Sequence, residues 1–277
     1  MTRDPDRVVE LLWHEGGREP RPGLSLARIV CAGIELADAE GLEGLSMRKV
    51  ADRLGFTTMS LYRHVPGRDQ LVDLMRDAVL GEQPLTGPQE GGWRARLEAC
   101  ARAAWDLRRR HPWLAEVRGT RHVPGPNAVA LYEYMLSTVA GTGLRPAEMI
   151  AVVGLVGRFI DAEALVLVET SREERHSGVS EEEWWGARDS LYERLDRYPT
   201  LSYLWEAGGY DQPEDSFEFG LRRVLDGIEV LIKERDEKRD ETCRVCGTVL
   251  EGAPSGRPRR YCSRACQQRA YRKRATP

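Results

Sequence analysis

Residues 147–169, AEMIAVVGLVGRFIDAEALVLVE, constrain this chain more than any other stretch. Apolar residues recur there at the three- and four-residue intervals of an α-helix, yet they occupy nearly its whole circumference. A helix apolar on so many sides needs packing partners on more than one face. Glu148, Arg158, Asp161, Glu163 and Glu169 interrupt the run, so it falls short of the ~18 apolar residues of a membrane span. A helix over 146–170 is therefore expected to be buried within a bundle and against a second copy of the chain. A partner helix over 214–238 would complete a four-helix interface across a two-fold axis.

The same period runs through most of the chain, and β-branched alternation is scarce, so the fold class is all-α. Ser25 can cap a helix with Leu26, Ile29, Val30, Ile34 and Ala37 inward, ending near Gly41. Ser46 can cap a second with Val50, Ala51 and Leu54 inward, stopped by Gly55. Thr57 or Thr58 can cap a short third with Leu61 and Val65 inward, and a fourth runs over 69–80. The Gly- and Pro-rich stretch GEQPLTGPQEGG marks a boundary, after which helices are expected over 92–110, 125–141, 146–170, 181–197 and 214–238. This divides the chain into an N-terminal arm (1–23, with a short helix near Pro5–His14), a helix-turn-helix unit (24–81), a helical unit (91–238) and a cysteine-rich tail (243–277).

In SMRKVADRLGFTTMSLYRHVPGR, residues 46–68, two short helices flank a glycine-centred turn, the pattern of a helix-turn-helix. Between Ser46 and Gln70 there are five Lys and Arg against two acids. Ser46 at a helix start, Arg48, the Tyr62 hydroxyl and Arg68 suit phosphate contacts, which fix register. Thr57, Thr58, Met59, Ser60 and Arg63, with His64 beside them, form the polar face that would meet base edges in the major groove. An amphipathic hairpin could equally present that face to solvent alone.

The stretch LSMRKVADRLGFTTMSLYRHVPGRDQLVDLM, preceded by RIVCAGIELADAEGLEGL, resembles the DNA-binding region of TetR-family transcriptional repressors. Leu61, Tyr62, Arg63 and His64 fall on the family's Leu-Tyr-x-His core. The resemblance implies that Tyr62 and Arg68 bind phosphate, that positions 57–60 and 63 face bases of double-stranded operator DNA, and that the protein is a homodimer. It further implies that the later helices form a pocket for a small-molecule effector, and WDLRRRHPW looks like the start of that region in the tetracycline-repressor-like branch. Candidate pocket residues are His111, Trp113, Tyr132, Met135, Arg158 and Asp161, with Tyr134 near them. Arg158, Asp161 and Glu163 can instead be read as interfacial ion pairs.

The tail carries four of the six cysteines. Cys243-x2-Cys246 and Cys262-x3-Cys266 form a four-thiolate set suited to a structural Zn2+, which takes thiolates tetrahedrally and here would leave no open position for catalysis. Gly247 relieves the first turn, and Ser263 can cap a helix that carries Cys266 on its first turn, as in a treble-clef or zinc-ribbon-like finger. From Cys243 to Pro277 nine Lys and Arg stand against one acid, a net of +8; the whole chain carries −3, which leaves −11 on residues 1–242. A basic tail on an acidic body suggests an accessory, mostly sequence-independent contact to nucleic acid. The alternatives for the tail are a structural cap and a partner-binding finger, and for the whole chain a nucleic-acid- or partner-binding adaptor, RNA-binding among them, in which the finger dominates and the body merely dimerises.

Neither a Ser-His-Asp pattern, a phosphate loop nor a dinucleotide fingerprint is present, and the five histidines lack metal-ligand spacing, which argues against an enzyme. The N-terminus has no signal-peptide pattern, so a cytoplasmic protein with no membrane partner is expected. Together the features predict a ligand-responsive dimeric repressor.

Overall fold

The computed structural model describes residues 5–13, 23–85, 91–117, 122–211, 214–240, 243, 245–248, 250 and 260–274. Every regular element among them is helical. The first five are α1 (Pro5–Trp13), α2 (Leu26–Gly44), α3 (Met47–Leu54), α4 (Thr58–Tyr62) and α5 (Arg68–Leu80). The caps fall where the sequence places them. Ser25 Oγ accepts from Arg28 N, Ser46 Oγ from Lys49 N and Thr57 Oγ1 from Ser60 N, while Gly55 stops α3 in the left-handed region at φ +73°. Ile29, Val50, Leu61, Val65, Leu71 and Met75 are fully buried in one core. Val8 and Leu12 of α1 enter the same core, so this part of the expected arm is built into the helix-turn-helix unit.

The second unit comprises α6 (Gly92–Arg110), α7 (Trp113–Glu116), α8 (Pro126–Val139), α9 (Pro146–Ser177), α10 (Glu181–Gly186), α11 (Asp189–Tyr192), a 3-10 turn (Leu195–Arg197), α12 (Pro199–Glu206) and α13 (Ser216–Asp240). Here the structure departs from expectation in three places. α9 continues to Ser177, because Arg172, Glu173, Glu174 and Arg175 are good helix formers even after the apolar period ends, and Gly178 closes it at φ +70°. The helix expected over 181–197 is broken into α10, α11 and the 3-10 turn, followed by the unforeseen α12; none of these helices has a buried residue, so no packed face holds a longer one together. The HPW break contains the single turn α7.

Leu97, Val139, Val152, Val153, Val156, Ile160, Phe217, Leu221, Leu225 and Ile228 form the second core, with Trp105 stacked on Phe217 at 4.4 Å. α13 runs antiparallel to α9: Ser216 Oγ donates to Glu163 Oε2 at 2.8 Å near one end, and Arg235 pairs with Glu148 at the other. Asp77 of α5 joins the two units. Its carboxylate accepts from Ala128 N at 2.9 Å and from Asn127, capping α8 from another domain. Gly125 is required at that junction, since a Cβ there would lie 2.3 Å from the Asp77 carboxyl carbon. In the tail, α14 (Arg264–Arg274) is the one helix described.

Candidate nucleic-acid interface, sensing cavity and thiol cage

The turn between α3 and α4 follows from local chemistry. Gly55 N donates back to Asp52 O, Phe56 N to Ala51 O, and the Thr57 and Ser60 hydroxyls meet at 2.9 Å. With Leu61 and Val65 buried, α4 turns outward Met59, which is 69% exposed, together with Tyr62, Arg63 and Thr57. Thr58, Ser60 and His64 are half-buried at the edges of that face. On α3, Arg48 extends into solvent with only a long contact to Asp52 at 3.8 Å. This surface can donate to phosphate and reach into a groove.

Two of the residues expected at phosphate also have structural work. Ser46 Oγ is engaged as the α3 cap. The Arg68 guanidinium donates through Nε to Leu45 O at 3.0 Å and through Nη2 to Leu42 O, which pins the α2–α3 corner to the start of α5.

A cavity of about 240 Å³ lies where α2 meets α6, α7 and α9. Trp105 lines it with the fully buried Trp113 behind, and Arg108, Arg109 and Arg175 share the lining with Asp38 and Glu116. Of the residues expected at an effector site, Trp113 lines this cavity, and Asp161 reaches it through Arg108, whose Nε lies 2.8 Å from Asp161 Oδ1. The other four lie elsewhere. His111 is held between Asp38 and Glu82, Met135 packs between the two cores, Tyr132 is exposed, and Arg158 lies exposed along the surface of α9 over Gly154. Asp161 and Glu163 are paired within the protomer, to Arg108 and Ser216. Sequence reasoning missed Trp105, Arg109, Arg175, Glu116 and Asp38; the first two sit in WDLRRRHPW, but α9 and α2 reach the cavity only through tertiary packing.

The four tail cysteines converge. Their sulfurs all lie within 4.8 Å of one another, with Cys246–Cys262 at 3.4 Å and Cys262–Cys266 at 3.6 Å, and none is in a disulfide. Gly247, at φ +71°, returns its N–H to Cys243 O, Cys243 N reaches Thr248 O, and Ser263 Oγ caps the α14 turn through Cys266 N. Sulfurs about 3.8 Å apart are what a tetrahedron of ~2.3 Å metal–thiolate bonds requires, so the cage fits a metal ion. The thiols otherwise oppose one another. Hydrogen bonds, first from the Cys262 backbone, hold Cys243 down at about 6, whereas the neighbouring thiols of Cys246, Cys243 and Cys266 push Cys262 up to about 12. A divalent cation removes that conflict.

A helix-turn-helix with an outward polar recognition helix, joined through the Asp77 cap of α8 to a helical bundle containing a cavity, defines a one-component DNA-binding regulator with a sensing domain. Residues 29–75 match the family described as bacterial regulatory proteins, tetR family, and residues 84–232 match the tetracyclin repressor-like C-terminal domain. The chain belongs to the TetR family of transcriptional regulators, which are DNA-binding proteins rather than enzymes. It is 42% identical over 241 residues to the HTH-type transcriptional repressor DrrR1 of Streptomyces coeruleorubidus, covering 84% of this chain and 88% of that one. An HTH-type transcriptional regulator of Saccharopolyspora erythraea is 32% identical over 223 residues, covering 78% and 90%. Among solved structures, apo ActR of Streptomyces coelicolor superposes with a TM-score of 0.62 at 28% identity, covering 78% of this chain and 99% of that one. ActR in complex with actinorhodin gives 0.62 at 29% identity, covering 75% and 96%. Among the described residues, no helix is long and apolar enough to cross a membrane.

Proposed function

We propose that this protein is a dimeric repressor that reads an operator with α4 and releases it when a small molecule fills the cavity between its two units. The observation that carries this is the cavity's composition: its walls come from α2 of the reader and from α6, α7 and α9 of the sensing domain. A ligand there contacts both units and biases their relative placement, and a change in reader separation cannot satisfy both half-sites. The Trp105 indole with three arginines suits a compact aromatic molecule carrying an acidic or phenolic group. Support for a ligand-responsive role comes from ActR, which has been solved with actinorhodin.

In this reading Thr57, Thr58, Met59, Ser60 and Arg63 face bases, and Arg48, Tyr62 and the Ser46 helix start hold phosphate. Arg68 acts chiefly by fixing the α2–α3 corner. Dimerisation uses α9 and α13, whose exposed Ile150, Leu155, Val166, Leu167, Phe219 and Val230 remain uncovered in the protomer. Zn2+ is the cation for Cys243, Cys246, Cys262 and Cys266, where it would fold the tail without catalytic chemistry. The test is binding to DNA fragments around the protein's own gene, measured by fluorescence anisotropy. Selective binding weakened by Arg63→Ala is expected; equal affinity for every fragment would refute it.

A further inference from the structure

The two basic features of this chain are anchored at opposite ends of the sensing domain. The C-terminal half of α9 meets the reader: Val168 and Gly41 line one cavity, and Arg172 pairs with Glu43 of α2. Its first turn is at the far end, where Glu148 pairs with Arg235. Glu148 to Val168 is 20 residues, about 30 Å of helix at 1.5 Å per residue. α13 runs from Ser216 beside Glu163 to Arg235 beside Glu148, then on to Asp240. Cys243 follows three residues later, a length of chain that spans at most about 11 Å. The thiol cage is thus tethered to the end remote from α4. The 11 residues of α14 measure only about 16 Å, too short to return along α9. In a two-fold dimer whose readers face one duplex, both remote ends point away from it.

α14 buries Cys266 and exposes Arg264, Gln267, Gln268, Arg269, Tyr271 and Arg272. No acid follows Glu251 in the chain. Guanidinium, amide and phenol donors in this density match phosphate oxygens. Apart from Tyr271 the face lacks the apolar anchors that a protein interface concentrates at its centre. We infer that the finger's arginine face binds a second segment of duplex DNA, not the operator beneath its own readers, so that one dimer bridges two stretches of DNA. This rests on the reading above in which positions 57–63 hold the operator.

The experiment uses the full chain loaded with zinc. Protein is bound to saturation on an immobilised operator duplex, washed, and offered a labelled duplex of unrelated sequence over a salt series. Wild type is compared with the triple variant Arg264→Gln, Arg269→Gln, Arg272→Gln, whose cysteines are intact and whose zinc content is measured alongside. Both proteins are expected to occupy the operator with Kd within about twofold, while the variant retains at least about tenfold less of the second duplex near 0.1 M salt. Capture absent from both proteins, or equal in both, overturns the inference. So does a variant with weaker operator binding and a flatter salt dependence, which puts the finger on the operator, and so does retention of structured RNA in preference to the duplex. Failure of the wild type to select the operator shows in the first step, and counts instead against the reading of positions 57–63.

Discussion

A single carboxylate oxygen of Asp38 receives both the His111 imidazole at Nδ1 and the Trp113 indole N–H, each at 2.8 Å. Asp38 lies on α2 of the reader's core, whereas His111 and Trp113 follow α6 of the sensing domain. The two units therefore share one acceptor at the edge of the cavity. Trp113 is fully buried, so Asp38→Ala would strand its N–H, at a cost of about 1–3 kcal/mol. Asp38→Asn retains an oxygen acceptor and should lose less. Urea unfolding checks both, and an unchanged midpoint for the alanine variant would show that the contact carries no stability.

Arg63 and Arg68, five residues apart, should fail in different ways. Arg63 is exposed on α4, so Arg63→Ala is expected to weaken operator binding by about 1–3 kcal/mol if it contacts a base, with unfolding unchanged. Arg68 is tied to Leu42 and Leu45. Its removal frees Leu45 O and leaves Leu42 O with only the Leu45 N–H, and is expected to destabilise the protein by about 1–3 kcal/mol, while the salt dependence of DNA binding stays as in wild type. A reduced salt slope for Arg68→Ala would instead identify a direct phosphate contact.

These contrasts mark what the sequence makes legible. Caps, stops and buried positions of α2 to α5 rest on contacts within a few residues, and Ser25, Ser46, Gly55, Thr57, Leu61 and Val65 all behave as their spacing predicts. The thiol cage is legible for the same reason, since each cysteine pair sits within one turn. The cavity is not. Its lining joins residues from α2, α6, α7 and α9, and periodicity along one helix carries no information about which other helix completes a wall. Tyr132 and Arg158 looked suitable because aromatic and charged residues stood in apolar surroundings in the sequence, yet both turn outward. The 181–210 region misled in the other direction: its composition is helical, but without a packed face it folds as short separate turns.

Removing the metal should act locally. Among the described residues of the tail, Cys243 and Cys266 are the buried apolar groups, too little to hold α14 without a cation. Chelation, or Cys266→Ser, is expected to melt α14 and release about one zinc per chain, read by a chromophoric chelator and by hydrogen exchange of residues 264–272. Protection across 47–54 and 97–107 should be unchanged. Simultaneous loss of protection in those cores would mean that the finger is part of the main cooperative unit.

Acid should open the molecule from the end where the tail is attached. Glu148 accepts from the Arg145 guanidinium at 2.7 Å and from the Arg145 backbone N–H at 2.9 Å, and also pairs with Arg235 of α13. The Arg145 guanidinium first, then that backbone N–H, hold its carboxyl down at about 2. A depressed carboxylate contributes stability that is fully present above the ordinary glutamate range near pH 4.5 and is lost as pH falls toward about 2. Glu148→Gln should therefore be less stable than wild type at pH 7, and the difference should shrink steadily below about pH 5. Hydrogen exchange at low pH should then show residues 146–152 and 228–236 losing protection before 47–54, because the salt links of the remote end dissolve while the reader's apolar core does not titrate. Stability curves for the two proteins that stay parallel down to about pH 2 would show that the Arg145–Glu148–Arg235 contacts are not what joins α9 to α13 there.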